Sequence, residues 1–230
     1  MDVEELKIKV AKGCAIIARE GHSDFHLGHF SARFSGAEQY WMKPKFLGLE
    51  EIQPENVILL DYDGNKIGGA AHHIRHAEYP IHSEIYRKRP DVNCVIHTHP
   101  FYATLLGAML QPIQPITHDG CLFVGSTAYY DLMSDLILTR EQGVGLAECL
   151  ADNRVVLMRN HGVVVVGSTI EEAVGTAILL ERAAKAQIVG LSTGQKLIFS
   201  SLEDVRNKVL HIFHTKYWEV LWDYLNRQSQ

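Results

Sequence analysis

Three features are missing from this sequence: a long uncharged apolar run, a tract of basic residues, and a cysteine pair at metal-binding spacing. Without an apolar run of about 20 residues, no membrane-spanning helix is predicted. The first residues, MDVEEL, contain no basic-then-apolar leader, so we predict no signal peptide. The 22 basic and 27 acidic residues give a net charge of −5, which argues against nucleic acid as a partner.

The cysteines are few and dispersed, at Cys14, Cys94, Cys121 and Cys149, each in an apolar context. This distribution is typical of reduced core residues, so we expect a cytoplasmic protein. The chain has 230 residues, 47% of them hydrophobic, and no repeat or evident linker. We therefore expect residues 1–230 to form a single domain. Histidine is the unusual residue, with 13 copies, several of them clustered.

Apolar spacing and turn residues divide the chain into strands with mostly helical connections. This pattern predicts an α/β fold in which helices cover a central sheet. Strands are predicted at 31–34, 40–42, 57–60, 92–96, 116–118, 155–158 and 163–166, with a return strand starting at Lys66. Helices are predicted at 3–20, 80–88, 101–109, 129–138, 144–150, 169–189 and 202–225.

Two histidines, His97 and His99, follow the buried apolar run that ends at Ile96. Residues i and i+2 of a strand point to the same face, so both imidazoles can reach one metal ion. Neutral imidazole suits Zn²⁺ and its first-row neighbours. A bare His-x-His pair, however, is more often two polar residues at a strand edge.

His161 is the best candidate for a third ligand, because it lies between two β-branched runs at an expected sheet turn. Three protein ligands would leave a coordination position open for substrate, as in catalytic metal sites. Glu78, in a histidine-rich loop ahead of the metal strand, is the candidate acid or base. Taken alone, His161 would be a turn residue and Glu78 a solvated loop carboxylate.

The order and spacing of these pieces resemble the class II aldolase/adducin family, typified by fuculose-phosphate aldolase, over about residues 5 to 190. The pieces are Glu78-(x3)-His82, Arg89-Pro90-Asp91-Val92-Asn93, His97-Thr98-His99-Pro100 and Asn160-His161-Gly162. The resemblance implies a three-layer α/β/α fold with a central mixed, mainly antiparallel sheet. It also implies a homotetramer with active sites at subunit interfaces.

By the same resemblance, His97, His99 and His161 would hold one divalent transition metal per chain. Zn²⁺, Mn²⁺ and Co²⁺ all fit these ligands. Glu78 matches the family's acid/base carboxylate.

The chain departs from the sugar-phosphate aldolases where they hold phosphate with Gly-Asn-x-Ser, Thr-Gly and Ser-Ser segments. These positions read Gly28-His29-Phe30-Ser31, Lys45-Phe46 and His76-Ala77, so we do not expect a phosphate site. His29, Ser31, Lys45 and His76 are instead the predicted substrate-binding residues, facing a carboxylate, with Phe46 against a ring. Local packing of these side chains is the alternative.

We therefore expect a metal-dependent carbon–carbon lyase, nearest to the family's non-phosphate, decarboxylase-type members. It would decarboxylate a small hydroxy-aromatic or heteroaromatic carboxylate through a metal-stabilised enolate or carbanion. Glu78, or His118 of a neighbouring subunit, would return the proton, and Tyr217 or Tyr224 would close the pocket. One alternative is an aldolase that releases an aldehyde from a hydroxy-oxo acid or sugar-type substrate. The other is a metal-free, non-catalytic scaffold like adducin.

Overall fold

The computed structural model describes residues 1–228, in which eight strands form one sheet. The strands are β1 His29–Ala32, β2 Gln39–Met42, β3 Ile58–Asp61, β4 Lys66–Gly68, β5 Cys94–Thr98, β6 Thr127–Tyr130, β7 Val155–Met158 and β8 Val163–Gly167. Their spatial order is β4-β3-β2-β1-β5-β8-β7-β6. Within the described chain only β6 and β7 pair in parallel, so the sheet is mixed and mainly antiparallel, as expected.

Helices cover both faces of this sheet. They are α1 Val3–Ile17, α2 Tyr79–Lys88, α3 Phe101–Met109, α4 His118–Cys121, α5 Arg140–Leu150, α6 Ile170–Ser192, α7 Leu202–Ile212 and α8 Thr215–Arg227. Apolar residues of α1, α3, α6 and α8 form one core with one sheet face, and those of α2 and α5 form a second core with the other face. The predicted three-layer α/β/α architecture is therefore confirmed.

Strand β5 lies in the middle of the sheet and is buried on both faces. Its side chains alternate, so Cys94 and Ile96 enter the core under α1 and α6, while Val95 enters the core under α2 and α5. His97 has the parity of Val95 and so points toward α2. This alternation decides which helices can supply partners to the metal strand.

Three sequence predictions about elements are wrong. Residues 116–118 form no strand, because the Thr117 hydroxyl accepts the Gly120 N–H and starts α4 instead. The predicted helix 129–138 does not form, because 127–130 pair in parallel with β7 and 131–138 are irregular. The predicted helix 202–225 is divided into α7 and α8 at Phe213, whose backbone is not helical. Among residues 1–228, no helix combines the length and the hydropathy needed to cross a bilayer.

Candidate metal centre

The first two imidazoles of the site come from the end of β5. His97 is fully buried, and its Nδ1 lies 3.1 Å from the carbonyl oxygen of Val163 on β8. A carbonyl only accepts, so Nδ1 carries the proton and the lone pair of Nε2 is free. That Nε2 lies 3.2 Å from the Nε2 of His99. Both free nitrogens therefore face the same small space.

A carboxylate orients the second imidazole. The Nδ1 of His99 lies 2.8 Å from Oδ2 of Asp24, which fixes the proton on Nδ1 and leaves Nε2 as the ligand atom. Asp24 reaches this position because the chain reverses after α1 at Gly21, whose φ is +99°. The sequence reasoning missed Asp24, although a carboxylate in the loop of His22, His26 and His29 was a usable signal.

The third imidazole comes from the tight turn between β7 and β8. Asn160 has a φ of +54°, and Gly162 packs so closely that a Cβ there would lie 2.5 Å from Cδ2 of His99. The side chain of His161 is 7% exposed, yet neither of its nitrogens makes a hydrogen bond to the rest of the described chain. A buried polar atom without a partner indicates an absent one.

The donor set fits a divalent transition metal. The ligand nitrogens of His97, His99 and His161 all lie within 4.8 Å of one another. Donors at 2.0–2.1 Å from a tetrahedral Zn²⁺ lie about 3.3 Å apart, close to the separation of the two Nε2 atoms on His97 and His99. Burial is the largest cause that lowers the pKa of both His97 and His99. The lowered pKa keeps both rings neutral, with a free lone pair, at neutral pH.

Glu78 lies beside these three imidazoles, directly before α2. Its Oε1 accepts the Ile137 N–H at 2.9 Å and lies 3.4 Å from Nε2 of His161, while Oε2 lies 3.7 Å from Nε2 of His29. Burial alone would raise the pKa of Glu78, but interactions with His161 and His97 outweigh it and lower the pKa to about 2. The carboxylate is therefore ionised at neutral pH.

A second group of histidines, which we call the histidine wall, faces the metal wall formed by His97, His99 and His161. The ring centroid of His29 lies 4.7 Å from that of His97, 4.2 Å from that of His76 and 4.9 Å from that of His82. Burial is the largest cause that lowers the pKa of His76 to about 4 and that of His82 to about 3. The structure thus brings two predicted substrate-binding residues, His29 and His76, to the metal site.

The other two predicted substrate-binding residues, Ser31 and Lys45, differ from each other in burial and in contacts. Ser31 is fully buried, and its hydroxyl is engaged by His82 and Tyr86, so it supports the wall instead of facing a substrate. Lys45 is half-buried, with its Nζ 4.8 Å from the ring centroid of Phe46, which is 62% exposed. The predicted substrate contacts of Ser31 and Lys45 stay predictions.

A buried lysine was missed by the sequence reasoning. Lys43 is fully buried, and its Nζ donates to the carbonyl oxygens of His26 and Pro44. Burial lowers the pKa of Lys43 to about 8, and after burial Lys43 is the largest cause of the low pKa of His76. A lysine directly after an apolar strand carries no sequence signal of burial.

His118 and Tyr217 do not meet the metal site within one chain. His118 is exposed on α4, next to Asp119, which binds Arg182. Tyr217 packs against Phe213 and Trp218 on the far core. No hydrogen bond, ion pair or ring contact joins either residue to the histidine cluster in the described part of the chain.

Comparisons with known proteins identify the family and support the fold. Residues 8–188 match the model of the Class II Aldolase and Adducin N-terminal domain, and the chain belongs to this family. An aldolase II superfamily protein from Pseudomonas syringae has a solved structure with a TM-score of 0.88 and 28% identity. That match covers 98% of this chain and 92% of the other.

Three curated relatives share about 30% of their aligned residues with this chain. The Meiotically up-regulated gene 14 protein of Schizosaccharomyces pombe is 30% identical, over 78% of this chain and 70% of that protein. Decarboxylase NovR of Streptomyces niveus is 31% identical, over 69% of this chain and 59% of that protein. The 4-hydroxy-3-prenylphenylpyruvate oxygenase/4-hydroxy-3-prenylbenzoate synthase of Streptomyces roseochromogenus is also 31% identical, over 69% and 57%. The chain thus spans little more than half of the two Streptomyces proteins.

Proposed function

We propose that this chain is a metal-dependent carbon–carbon lyase that decarboxylates a non-phosphorylated hydroxy-aromatic or heteroaromatic carboxylate. The observation that carries the proposal is the meeting of two walls at one sheet end. One wall offers the free imidazole nitrogens of His97, His99 and His161 beside an ionised Glu78. The other offers His29 and His76, with lysines behind them.

The metal wall supplies the electrophile. His97, His99 and His161 would hold one divalent cation, with Asp24 and the Val163 carbonyl fixing the ring orientations. When bound, the cation supplies Lewis-acid stabilisation of the negative charge that develops on substrate oxygen during carbon–carbon cleavage. The three histidines distinguish this chain from a scaffold that has lost its ligands.

The histidine wall supports a carboxylate substrate. Phosphate sites use hydroxyl and backbone N–H donors, and the equivalent positions here carry His29, His76 and Lys45. Lys43 and Lys45 contribute positive charge near His76. Two relatives are named for decarboxylation or for a prenylbenzoate product, which supports an aromatic carboxylate as the substrate class.

Glu78 is suited to carry the proton through the reaction. Because Glu78 is ionised and lies beside the imidazoles that would hold the cation, it can accept the proton of a substrate hydroxyl that a bound cation would acidify. The bond between the ring carbon and the carboxylate then breaks, CO₂ leaves, and the electron pair stays on the ring carbon. Glu78 returns the same proton to that carbon, so one hydroxy-acid anion gives CO₂ and one phenolate. His118 of a partner subunit is the second candidate donor.

An assembly would complete the site. Phe25, Phe46 and Phe101 are 83%, 62% and 71% exposed. Phe25 and Phe46 directly follow Asp24 and Lys45, and Phe101 lies two residues after His99. Exposed aromatic rings are enriched in contact surfaces. We propose a homotetramer in which a second copy packs on these rings and brings His118 or Tyr217 to the metal site.

The test is product analysis with the metal-loaded protein. Protein supplemented with Zn²⁺ or Mn²⁺ is incubated with hydroxybenzoates, hydroxypyridine carboxylates and hydroxy-oxo acids, and both CO₂ and aldehyde are measured. We expect CO₂ from at least one hydroxy-aryl carboxylate. His161→Asn should abolish release, while His211→Asn, on the exposed face of α7, serves as the matched histidine control.

Two results would contradict the proposal in different ways. Aldehyde without CO₂ would assign the chain to the aldolases. No turnover together with no bound metal would favour a scaffold, and partner binding would then survive a chelator.

A further inference from the structure

A line of four hydrogen-bonded, buried side chains runs from the interior to the metal site. The Tyr86 hydroxyl lies 2.8 Å from Oγ of Ser31, which lies 2.6 Å from Nδ1 of His82. The Nε2 of His82 lies 2.6 Å from Nδ1 of His29. The four residues are at most 2% exposed. Neither the family resemblance nor the metal ligation accounts for this line of hydrogen bonds.

Two elements interleave to build it. His29 and Ser31 are two apart on β1 and so point to the same face, toward α2. His82 and Tyr86 are four apart on α2 and so lie one above the other on the face that meets β1. The strand and the helix therefore contribute alternate members of one hydrogen-bonded line.

The protons in this line can run in only two directions. A neutral imidazole carries one N–H, so each ring donates with one nitrogen and accepts with the other. If the protons ran from His29 to Tyr86, the line would end on a Tyr86 hydroxyl proton with no acceptor among residues 1–228, and the Nε2 lone pair of His29 would face the Glu78 carboxylate. A buried donor without an acceptor is strongly disfavoured.

The opposite direction, from Tyr86 to the metal site, leaves only one proton unpaired and places that proton beside a carboxylate. Tyr86 donates to Ser31, Ser31 donates to Nδ1 of His82, and the Nε2–H of His82 donates to Nδ1 of His29. The remaining proton then sits on Nε2 of His29. That atom is buried and makes no hydrogen bond within the described chain, and it faces Glu78 at 3.7 Å.

We infer that Tyr86, Ser31 and His82 are positioning residues that fix His29 as an N–H donor to an anionic substrate oxygen. The inference deepens the proposed function, on which the nature of the anion rests. It also decides between two possible uses of His29. One of its ring nitrogens lies within 4.8 Å of ligand atoms on Glu78 and His97 and could by distance serve a metal. An atom that carries a proton cannot, so the metal belongs to His97, His99 and His161.

The direct test is the tautomer of His29, read from ¹⁵N–¹H correlations of the imidazole nitrogens in metal-free and Zn²⁺-loaded protein. We expect the Nε2–H form in both. Ser31→Ala removes the hydroxyl that orients His82, and so should mix the two tautomers of His29. Ser83→Ala is the matched control, because Ser83 is a buried serine on α2, the helix of His82 and Tyr86, and its hydroxyl bonds that of Tyr40 instead, at 3.0 Å.

A binding measurement uses salicylate, with phenol as the probe that lacks the carboxylate. Ser31→Ala should weaken salicylate binding about three- to tenfold, the effect of one net hydrogen bond, and leave phenol binding unchanged. Ser83→Ala should change neither. Equal losses in both serine variants would indicate a purely structural effect and overturn the inference.

The two proposals can fail separately. A proton on Nδ1 of His29, or loss of the Nε2 proton when Zn²⁺ is added, would overturn the positioning inference whatever the substrate. An Nε2–H tautomer in a protein that binds no salicylate would confirm the proton direction and contradict the proposed substrate class.

Discussion

His29 lies directly opposite His97 in the antiparallel pair of β1 and β5, with ring centroids 4.7 Å apart. One ring offers a free nitrogen to a cation, and the other closes a line of hydrogen bonds from the interior. The strand register alone places them together, since a slip of one residue would turn one ring to the other face of the sheet. The pairing of β1 with β5 therefore fixes the relative position of these two site residues.

Asp24→Asn tests the support of His99. The Asp24 carboxylate accepts from Nδ1 of His99 at 2.8 Å and keeps Nε2 free for the metal. Loss of such a partner weakens metal affinity by about 10- to 100-fold. We expect this loss in a competition assay with a metallochromic chelator. Asp223→Asn, exposed on α8, is the matched control. Unchanged affinity in Asp24→Asn would separate Asp24 from the metal site.

Gly162→Ala tests the close approach of the β7–β8 turn to β5. The added Cβ would lie 2.5 Å from Cδ2 of His99 and 2.6 Å from the Thr98 oxygen. We expect a stability loss of about 1–3 kcal/mol, as for other overpacked sites, together with weaker metal binding. Gly145→Ala is the control, because its nearest atom is 3.9 Å away. Urea unfolding measures the stability of both variants. Equal stability of Gly162→Ala and Gly145→Ala would contradict the packing argument.

Glu78→Gln separates proton transfer from metal binding. The amide keeps the shape of the side chain but cannot accept a proton in the same way. We expect kcat to fall by about 10²–10⁴-fold, while the metal content of the protein is retained. Glu84→Gln is the control, since it removes a buried carboxylate of α2 that pairs with Arg87 and Arg140 instead. Loss of metal in Glu78→Gln would make Glu78 a ligand.

A pH series tests the buried histidine below the metal strand. His22 bridges the Thr98 hydroxyl at 2.8 Å and the Ala177 carbonyl at 3.1 Å, and burial lowers its pKa from 6.5 to about 4. As the pH falls, His22 takes up a proton in the unfolded chain before it does so in the folded one. The contribution of neutral, buried His22 to stability is therefore full above pH 6.5. It is lost as the pH falls from 6.5 to about 4.

His22→Gln should therefore flatten the pH dependence of stability in that window. The expected change of slope is up to about 1.4 kcal/mol per pH unit, the effect of one proton. Chemical unfolding in the presence of a chelator measures it without interference from bound metal. Parallel stability curves for the parent and the variant would show that His22 does not titrate on unfolding.

Much of the fold follows from the sequence where apolar runs are long and buried. The run 163–166 predicts β8, and helix 101–109 is confirmed to the residue. The prediction fails where tertiary contacts decide the structure. Thr127–Tyr130 becomes a strand only because β7 lies beside it, and neither glycine nor proline marks the break at Phe213.

The site was partly visible in the sequence for the same reason. His97 and His99 share a strand face, so their meeting follows from strand periodicity. The contribution of His161 depends on how two distant turns pack. Its place between two β-branched runs made it a candidate, and the family resemblance implied its role as a ligand. The roles of Asp24, Lys43 and Tyr86 depend on side-chain burial, which no local pattern reveals. The sequence also does not show that the hydroxyl of Ser31, a predicted substrate contact, is engaged by His82 and Tyr86.

The most direct test of the central claim is the metal content of purified protein, measured by mass spectrometry after supplementation with Zn²⁺ or Mn²⁺. We expect about one metal per chain, as for other three-histidine catalytic sites. His99→Ala should lose it, and His211→Ala should keep it. No metal in the parent protein, or equal metal in His99→Ala, would contradict a catalytic metal centre at His97, His99 and His161.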